Sequence, residues 1–290
     1  MYVNKIYSKK FILPALIIFF LLFLLPSFMG FYYSLTNWNS MSDNVKFIGL
    51  ENFKEIFNDS GSFLFIKNTL MYAFFTTILK VAIGLGLALM LNEGIKTKGL
   101  LRTIYFLPII ISNLIVGLMF QQVLHPTNGI LNHALEFIGL SSLTQAWLED
   151  PKWVMWSTIG VEVWKAAGFV MIIFLAGLQT VSKETIEASD MDGANYWNKL
   201  TKVIIPSIAP SILINTLLSV ISGLKVFDVI FALTNGGPGR SSEVINITIF
   251  NQFSMGNYGY STALGVIMFI FLAIISIGII MIFTRKETDR

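Results

Sequence analysis

Five ionisable side chains fall inside long apolar stretches, and they are the residues that most need a chemical reason: Lys80, Glu162, Lys165, Lys225 and Asp228. A charge in hydrocarbon is costly, so such residues pair with one another or line a path for something polar. Glu162 and Lys165, three apart, share a helix face and are expected to pair, and Lys225 and Asp228 to do the same. If each pair neutralises itself, none touches a solute. If they line a path, Gln121, Trp164 and Asn235, expected near these charges, add hydrogen-bonding groups and an aromatic face for a hydroxylated solute. Both readings stay open. Hydrolytic chemistry has less support, because the apolar stretches hold no paired carboxylates, HExxH or serine–lysine constellation. His125 and His133 have no carboxylate at metal-ligand spacing and read as solvated loop residues. Gly94 to Gly99 comes nearest to a phosphate loop, but Leu100 and Leu101 stand where Lys and Ser/Thr are required.

The elements that must position these residues are set by composition. Hydrophobic residues make up 54% of the 290 positions, charged residues 13%, and the mean hydropathy is +0.70. A soluble domain carries about a quarter charged residues, so the apolar surplus must face lipid. There is no cysteine, which excludes disulfides and thiolate metal sites. Six stretches are long enough to span a bilayer as helices, near 11–34, 69–92, 103–124, 153–178, 207–233 and 261–284. The first follows Lys5, Lys9 and Lys10 as a signal peptide would. It lacks a small-residue cleavage site and runs into Phe31, Tyr32, Tyr33 and Trp38, so it reads as a retained span.

Basic residues set the orientation. Lys5, Lys9, Lys10, Lys96, Lys98, Arg102, Lys183, Lys199, Lys202, Arg285, Lys286 and Arg290 fall on one side, and Lys46, Lys54, Lys67, Lys152 and Arg240 on the other. The richer side is cytoplasmic by the positive-inside rule, which puts both termini inside. The loop of residues 36–67 mixes Asp43, Glu51, Glu55 and Asp59 with Phe47, Phe53, Phe57 and Phe63 and is expected to fold against the outer membrane surface.

The inside segment from Gln179 to Ile205 is too polar to span. Ser182 can cap a helix with Glu184 in its first turn. Ile186, Met191 and Ala194 supply an apolar side, and Glu184, Glu187, Asp190 and Asp192 an acidic one. A second short helix from Tyr196 to Val203 should end before Pro206, with Ile205 extended. Helices that lie on inner leaflets are usually rich in lysine and arginine. Four acids against Lys183, Lys199 and Lys202 favour a protein partner instead.

The run Glu187-Ala188-Ser189-Asp190-Met191-Asp192-Gly193-Ala194, followed by Ile205-Pro206, resembles the cytoplasmic EAA loop of binding-protein-dependent ABC importer permeases of the sugar type. Ser189 stands where that pattern has alanine. Phe47-Ile48-Gly49-Leu50-Glu51-Asn52-Phe53, Arg102 to Pro108, Trp164 to Phe169, Leu175 to Gln179, Lys225 to Asp228 and Thr234 to Pro238 follow the same family in order.

The resemblance implies one all-α membrane domain over 1–290, with six transmembrane helices and coupling helices at 179–205. It implies half of a translocation pathway for a sugar or oligosaccharide, shared with a second permease chain in a heterodimer. Two cytoplasmic ATPase subunits would bind ATP and Mg, and an extracellular solute-binding protein would deliver the ligand. Glu187 would be the polar contact with the ATPase, Ala188 and Ser189 would allow close approach, Asp192 would share the contact and Gly193 would give the bend. Gly236 to Gly239 would lie near the external mouth. The chain itself would bind no cofactor and no nucleic acid, and would not be an enzyme. It would sit in a prokaryotic cytoplasmic membrane.

The rival from another class is an ion-gradient-driven secondary transporter working as an oligomer, which would show inverted repeats and discontinuous helices. No such halves are visible, and that rival has no use for the acidic helix pair. The subgroup's solutes run from malto-oligosaccharides to glycerol-3-phosphate. An anion would favour unpaired Lys80 and Lys165, and pairing of Lys165 with Glu162 would favour a neutral sugar.

Overall fold

The computed structural model describes residues 9–41, 44–93 and 96–288. Lys5, Asp43, Gly94 and Arg290, which entered the readings above, lie outside the described residues. Among the described residues the chain is helical apart from loops and one isolated antiparallel bridge, Thr36 to Phe47. It packs as two compact units. One gathers the described residues up to Phe63 with Thr248–Phe271, and the other gathers Leu64–Ile247 with the described residues from Leu272 onward.

In the first unit, helix α1 (Leu13–Tyr33) has 21 residues and a mean hydropathy of 2.3, with no part of its apolar stretch buried by the protein. Its length of about 31 Å matches the hydrocarbon thickness. The chain then turns through the Thr36 bridge into a short helix, α2 (Glu51–Asn58). Asn52 of α2 is buried, and its amide donates to the carbonyls of Ser34 and Thr36 at 2.8 and 2.9 Å. Asn52 thus holds α2 to the end of α1 and the Thr36 bridge by polar bonds.

In the second unit the organising element is α7 (Val154–Leu178), with 61% of its apolar stretch buried. Tyr72 of helix α3 (Ser60–Asn92) packs on Met155, Ile159 and Val163, and Ala88 and Leu91 pack with Val170, Met171 and Phe174. At 33 residues, α3 is about 50 Å long and begins well before the 69 expected for it. Small residues let helices touch. A Cβ added at Gly168 of α7 would lie 1.8 Å from the Tyr105 carbonyl oxygen. Lipid tails are as apolar as the helices, so close packing of this kind replaces the hydrophobic effect as the force between spans.

Two of the six expected spans are not continuous. The third is α4 (Lys98–Ile110) and α5 (Asn113–Val123), bent by 99°, and the short helix α6 (Ile130–Phe137) follows it. Pro108 removes one ladder donor, and Ile111 and Ser112 are extended at ψ 136° and 140°. The fifth, expected near 207–233, is α10 (Ala209–Leu224) and α11 (Asp228–Leu233) with a break between them, and α10 is bent by 71° from α9 (Tyr196–Ser207), which comes from the segment read as too polar to span. Ile205 is not extended. It is helical at φ −56°, ψ −46°, because residues Leu200–Ile204 form a π-turn that carries the helix through Pro206. The break moves to Ile208 at φ −95°, ψ 14°. The fourth expected span agrees with α7, and the sixth lies within the last helix, Tyr258–Thr288.

Gly168→Ala is expected to destabilise the protein by about 1–3 kcal/mol, because a backbone carbonyl occupies the space the methyl needs. Gly160→Ala, on the same helix with nothing within 4 Å, serves as the control. Thermal unfolding in detergent checks this, and equal melting temperatures for the two variants would refute the packing account.

Candidate functional site

A cavity of about 390 Å³ opens where α3, α4, α5, α7, α10 and the start of α11 approach one another. Its polar lining is Lys80, Asn113, Glu162, Lys165, Asn215, Ser219, Ser222, Lys225 and Asp228, and Phe169 and Phe227 are its aromatic walls. All five ionisable residues singled out from the sequence meet here. Three lysines and two carboxylates leave a formal charge of +1.

Their pairing differs from the expectation. Glu162 does not pair with Lys165. It takes the ammonium of Lys80 at 2.9 Å, and Lys80 also donates to the Ser222 hydroxyl at 3.0 Å. Lys80 is 1% exposed, so this bond ties three helices together inside the bundle. Lys165 reaches instead across to α5, where its ammonium donates to the Asn113 side-chain oxygen. Asn113 in turn donates to Asp228 at 3.2 Å. The break at Ile111 and Ser112 is what places Asn113 at a helix start within reach of both. Lys225 and Asp228 form no ion pair among the described residues. The chain leaves the helix between them, at Phe227 φ −145°, ψ −65°, so the three-residue spacing no longer brings them to one face.

Gln121, Trp164 and Asn235 do not line the cavity. Gln121 donates to the carbonyls of Ala232 and Leu233 at 2.7 and 3.2 Å, closing the open end of α11. Trp164 is 45% exposed and packs edge-on against Phe120. Asn235 sits at φ 47° in the turn that leaves α11. The sequence reading missed Asn113, Asn215, Ser219 and Ser222. The last three recur four and three apart on α10, a polar stripe in an apolar helix that carried the signal. The side-chain oxygen of Asn215, fully buried on the cavity wall, has no hydrogen-bond partner among the described residues. An acceptor left open in this way suits a donor on a solute. The loop histidines are bonded rather than simply solvated. Nδ1 of His125 accepts from the Thr127 and Asn128 amides at 3.3 and 3.2 Å, and Nε2 of His133 donates to the Thr127 carbonyl at 3.1 Å.

The acidic segment forms helix α8 (Lys183–Met191), capped by the Ser182 hydroxyl, which accepts from the Thr185 amide at 3.1 Å. The Glu184 carboxyl is held below its ordinary range by its own backbone N–H and by the Ser182 hydroxyl. Any stabilisation from that shift is present at neutral pH and lost as pH falls through the lowered folded-state value. At the other end, Gly193 (φ 71°) donates to Asp190 and Ala194 to Ser189, both at 3.0 Å, a glycine-terminated helix stop. Ser189 is buried, and Glu187, Ala188, Asp192 and Gly193 are exposed. Met191 does not join an apolar inner side and is 89% exposed, one turn from Glu187. Asp190 forms an ion pair with Lys199 of α9.

A chain with several apolar spans, broken helices around a charged cavity and a capped polar helix pair between two spans has the build of a transport subunit. Residues 80–288 match the family described as the binding-protein-dependent transport system inner membrane component. The chain belongs to this family and is a multi-pass protein of a prokaryotic inner membrane, a transport subunit and not an enzyme in itself. It is 32% identical over 275 residues to the multiple sugar-binding transport system permease protein MsmF of Streptococcus mutans, with 94% of each chain covered. A solved bacterial ABC transporter involved in import of the acidic polysaccharide alginate matches at TM-score 0.82 and 28% identity, covering 95% of this chain and 94% of that one. A bacterial alginate ABC transporter solved with its pentasaccharide-bound periplasmic protein matches at 0.76 and 28%, over 94% and 91%. Membership removes the ion-gradient-driven alternative, although broken helices taken alone would have suited it.

Removing one partner of the buried Lys80–Glu162 bond is expected to cost about 3–5 kcal/mol, and removing both to cost less than the sum. Lys80→Met, Glu162→Gln and the double variant, compared by thermal unfolding in detergent, test this. Strong coupling between Glu162→Gln and Lys165→Met, with none to Lys80→Met, would restore the pairing expected from sequence.

Proposed function

We propose that this chain forms half of the membrane pathway of an ATP-driven importer for a sugar or oligosaccharide. In this reading a second permease chain supplies the other half, two cytoplasmic ATPase subunits bind ATP and Mg, and an external solute-binding protein delivers the ligand. Both termini and α8 lie on the cytoplasmic side, as the distribution of basic residues requires. The observation that carries the reading is the joint presence of the charged, broken-helix cavity and, on α8, an exposed face that carries Glu187 and Met191.

In the cavity, the donors and acceptors of Asn113, Asn215, Ser219 and Ser222 would exchange with solute hydroxyls, and Phe169 and Phe227 would take the faces of sugar rings. At α8, Glu187 and Met191 present a charge and a flexible apolar side chain one turn apart, a pair suited to a cleft on a partner. Ala188, Asp192 and Gly193 keep the rest of that face small or polar. Closure of the ATPase pair on ATP would push α8, and the helices that flank it would re-open the cavity to the other side. The relatives' names support a saccharide, and the family's name supports the external binding protein.

Purification of the tagged chain from its native membranes in mild detergent, with mass spectrometry of what accompanies it, tests the assembly. A second six-span chain and an ATPase are expected, and a chain recovered alone or only as a homo-oligomer would sink the reading. Glu187→Lys is expected to abolish solute uptake while leaving membrane insertion and abundance unchanged. Uptake at the unaltered rate would detach α8 from the energy-coupling step.

A further inference from the structure

The first unit holds a cleft of about 490 Å³, within the roughly 300–1,000 Å³ usual for small-molecule sites. It is lined by Asn37, Trp38, Asn39, Asn52, Glu55, Asp59, Gln252, Asn257 and Tyr260, with Ile48 and Gly259 completing the wall. No lysine, arginine or histidine lines it. Its chemistry is therefore five side-chain amides, one Gln among them, two carboxylates and two aromatic rings, in contrast to the lysine-rich cavity in the membrane.

Bonds fix Asn37, Gln252 and Asn257 and leave half of each of these three amides to spare. Oδ1 of Asn37 accepts from the Lys46 amide at 2.7 Å, so Nδ2 is the part left to donate. Oε1 of Gln252 accepts from Asn257 Nδ2 at 2.8 Å, which leaves Gln252 Nε2 as a donor and Asn257 Oδ1 as an acceptor. Trp38 is half-buried and held by Tyr33 and Tyr258, whose ring centroids lie 4.3 and 4.6 Å away. Its backbone carbonyl takes the Gly259 amide at 2.8 Å, which locks the two walls together. Glu55 is exposed and forms no ion pair among the described residues.

We propose that this cleft binds neutral or amine-bearing saccharides at a site separate from the membrane cavity. Paired amide donors and acceptors are what vicinal hydroxyls require, because each hydroxyl both donates and accepts. Glu55 and Asp59 strengthen acceptance from hydroxyl or ammonium donors and repel uronates, sulfates and phosphates. With the termini inside, the cleft opens on the outer face, where a released or waiting solute would be held. The proposal goes beyond the importer reading and does not need ATP-driven transport to be true.

The full-length chain, with whatever subunits co-purify, is placed in lipid nanodiscs without the external protein and probed by saturation-transfer NMR. The probes are maltotriose and trigalacturonic acid. Maltotriose is expected to bind and trigalacturonic acid not to. Glu55→Ala combined with Gln252→Ala is expected to weaken maltotriose by about tenfold. Gly160→Ala, which lines neither the cleft nor the membrane cavity and has nothing within 4 Å of the added methyl, should leave it unchanged. Glu55→Lys is expected to reverse the preference towards trigalacturonic acid. Asn52 and Asp59, which hold the loop and the start of α3, are left intact so that the variants fold. Maltotriose binding that ignores Glu55 and Gln252, equal binding of both probes, or no binding at all would overturn the proposal. If the external protein, added in a second run, is captured by the parent chain but not by Glu55→Lys, and the parent gives no saccharide signal, the proposal is overturned and the cleft is a docking slot instead. Failure of ATP-dependent uptake with saccharide binding intact would count against the importer reading alone.

Discussion

Every backbone donor and acceptor inside a bilayer must find a partner within the protein, and the architecture of this chain follows from how it meets that demand while still opening a cavity. A continuous helix satisfies itself and leaves no room, whereas a broken one makes room and orphans its ends. Here the ends are taken up by side-chain amides from other elements. Asn246 donates to the carbonyls of Leu224 and Val226 at 3.4 and 3.0 Å, across the gap between α10 and α11. Gln121 closes the far end of α11, and Asn68 donates to the carbonyls of Arg240 and Glu243 at 3.2 and 3.0 Å in the turn beyond it. Asparagine and glutamine serve this purpose without bringing charge into the membrane.

The charged residues sit where those breaks occur, and their partners follow from the breaks. Asn113 bridges Lys165 and Asp228 because α5 begins at that point, and Lys80 meets Glu162 because Gly84 lets α3 lie close against Val170 of α7. Close backbone approach and polar pairing thus support each other. The glycines bring the helices within reach, and the buried ion pair then fixes their register. A buried pair of this kind contributes more to specificity than to net stability.

The apolar stretches and the acidic segment between the fourth and fifth of them were legible because each depends on local composition. Twenty apolar residues in a row, or four acids within nine, need no tertiary knowledge to be read. The two breaks were not legible, since Pro108 and Pro206 look alike in sequence. The break follows three residues after one, and a π-turn carries the helix through the other. The ion-pair partners were not legible for the same reason. A spacing of three on one helix offers a neighbour, and a better partner on another helix takes precedence. Trp164 and Gln121 were placed in the cavity by their chemistry, and α11, which no periodicity announced, gave Gln121 another task.

The segment from Tyr196 to Ser207 stays helical between two joints, the Gly193 turn at one end and Ile208 at the other. Twelve residues make a strut about 18 Å long, and the Asp190–Lys199 bond ties α8 to it. A rotation of about 10° at Ile208 would carry the far end by about 3 Å. Conversely, a push of that size on α8 arrives at α10 as an angle. In the proposed importer the strut would act as a gear, turning a small displacement at α8 into a tilt of the wall that carries Asn215, Ser219 and Ser222.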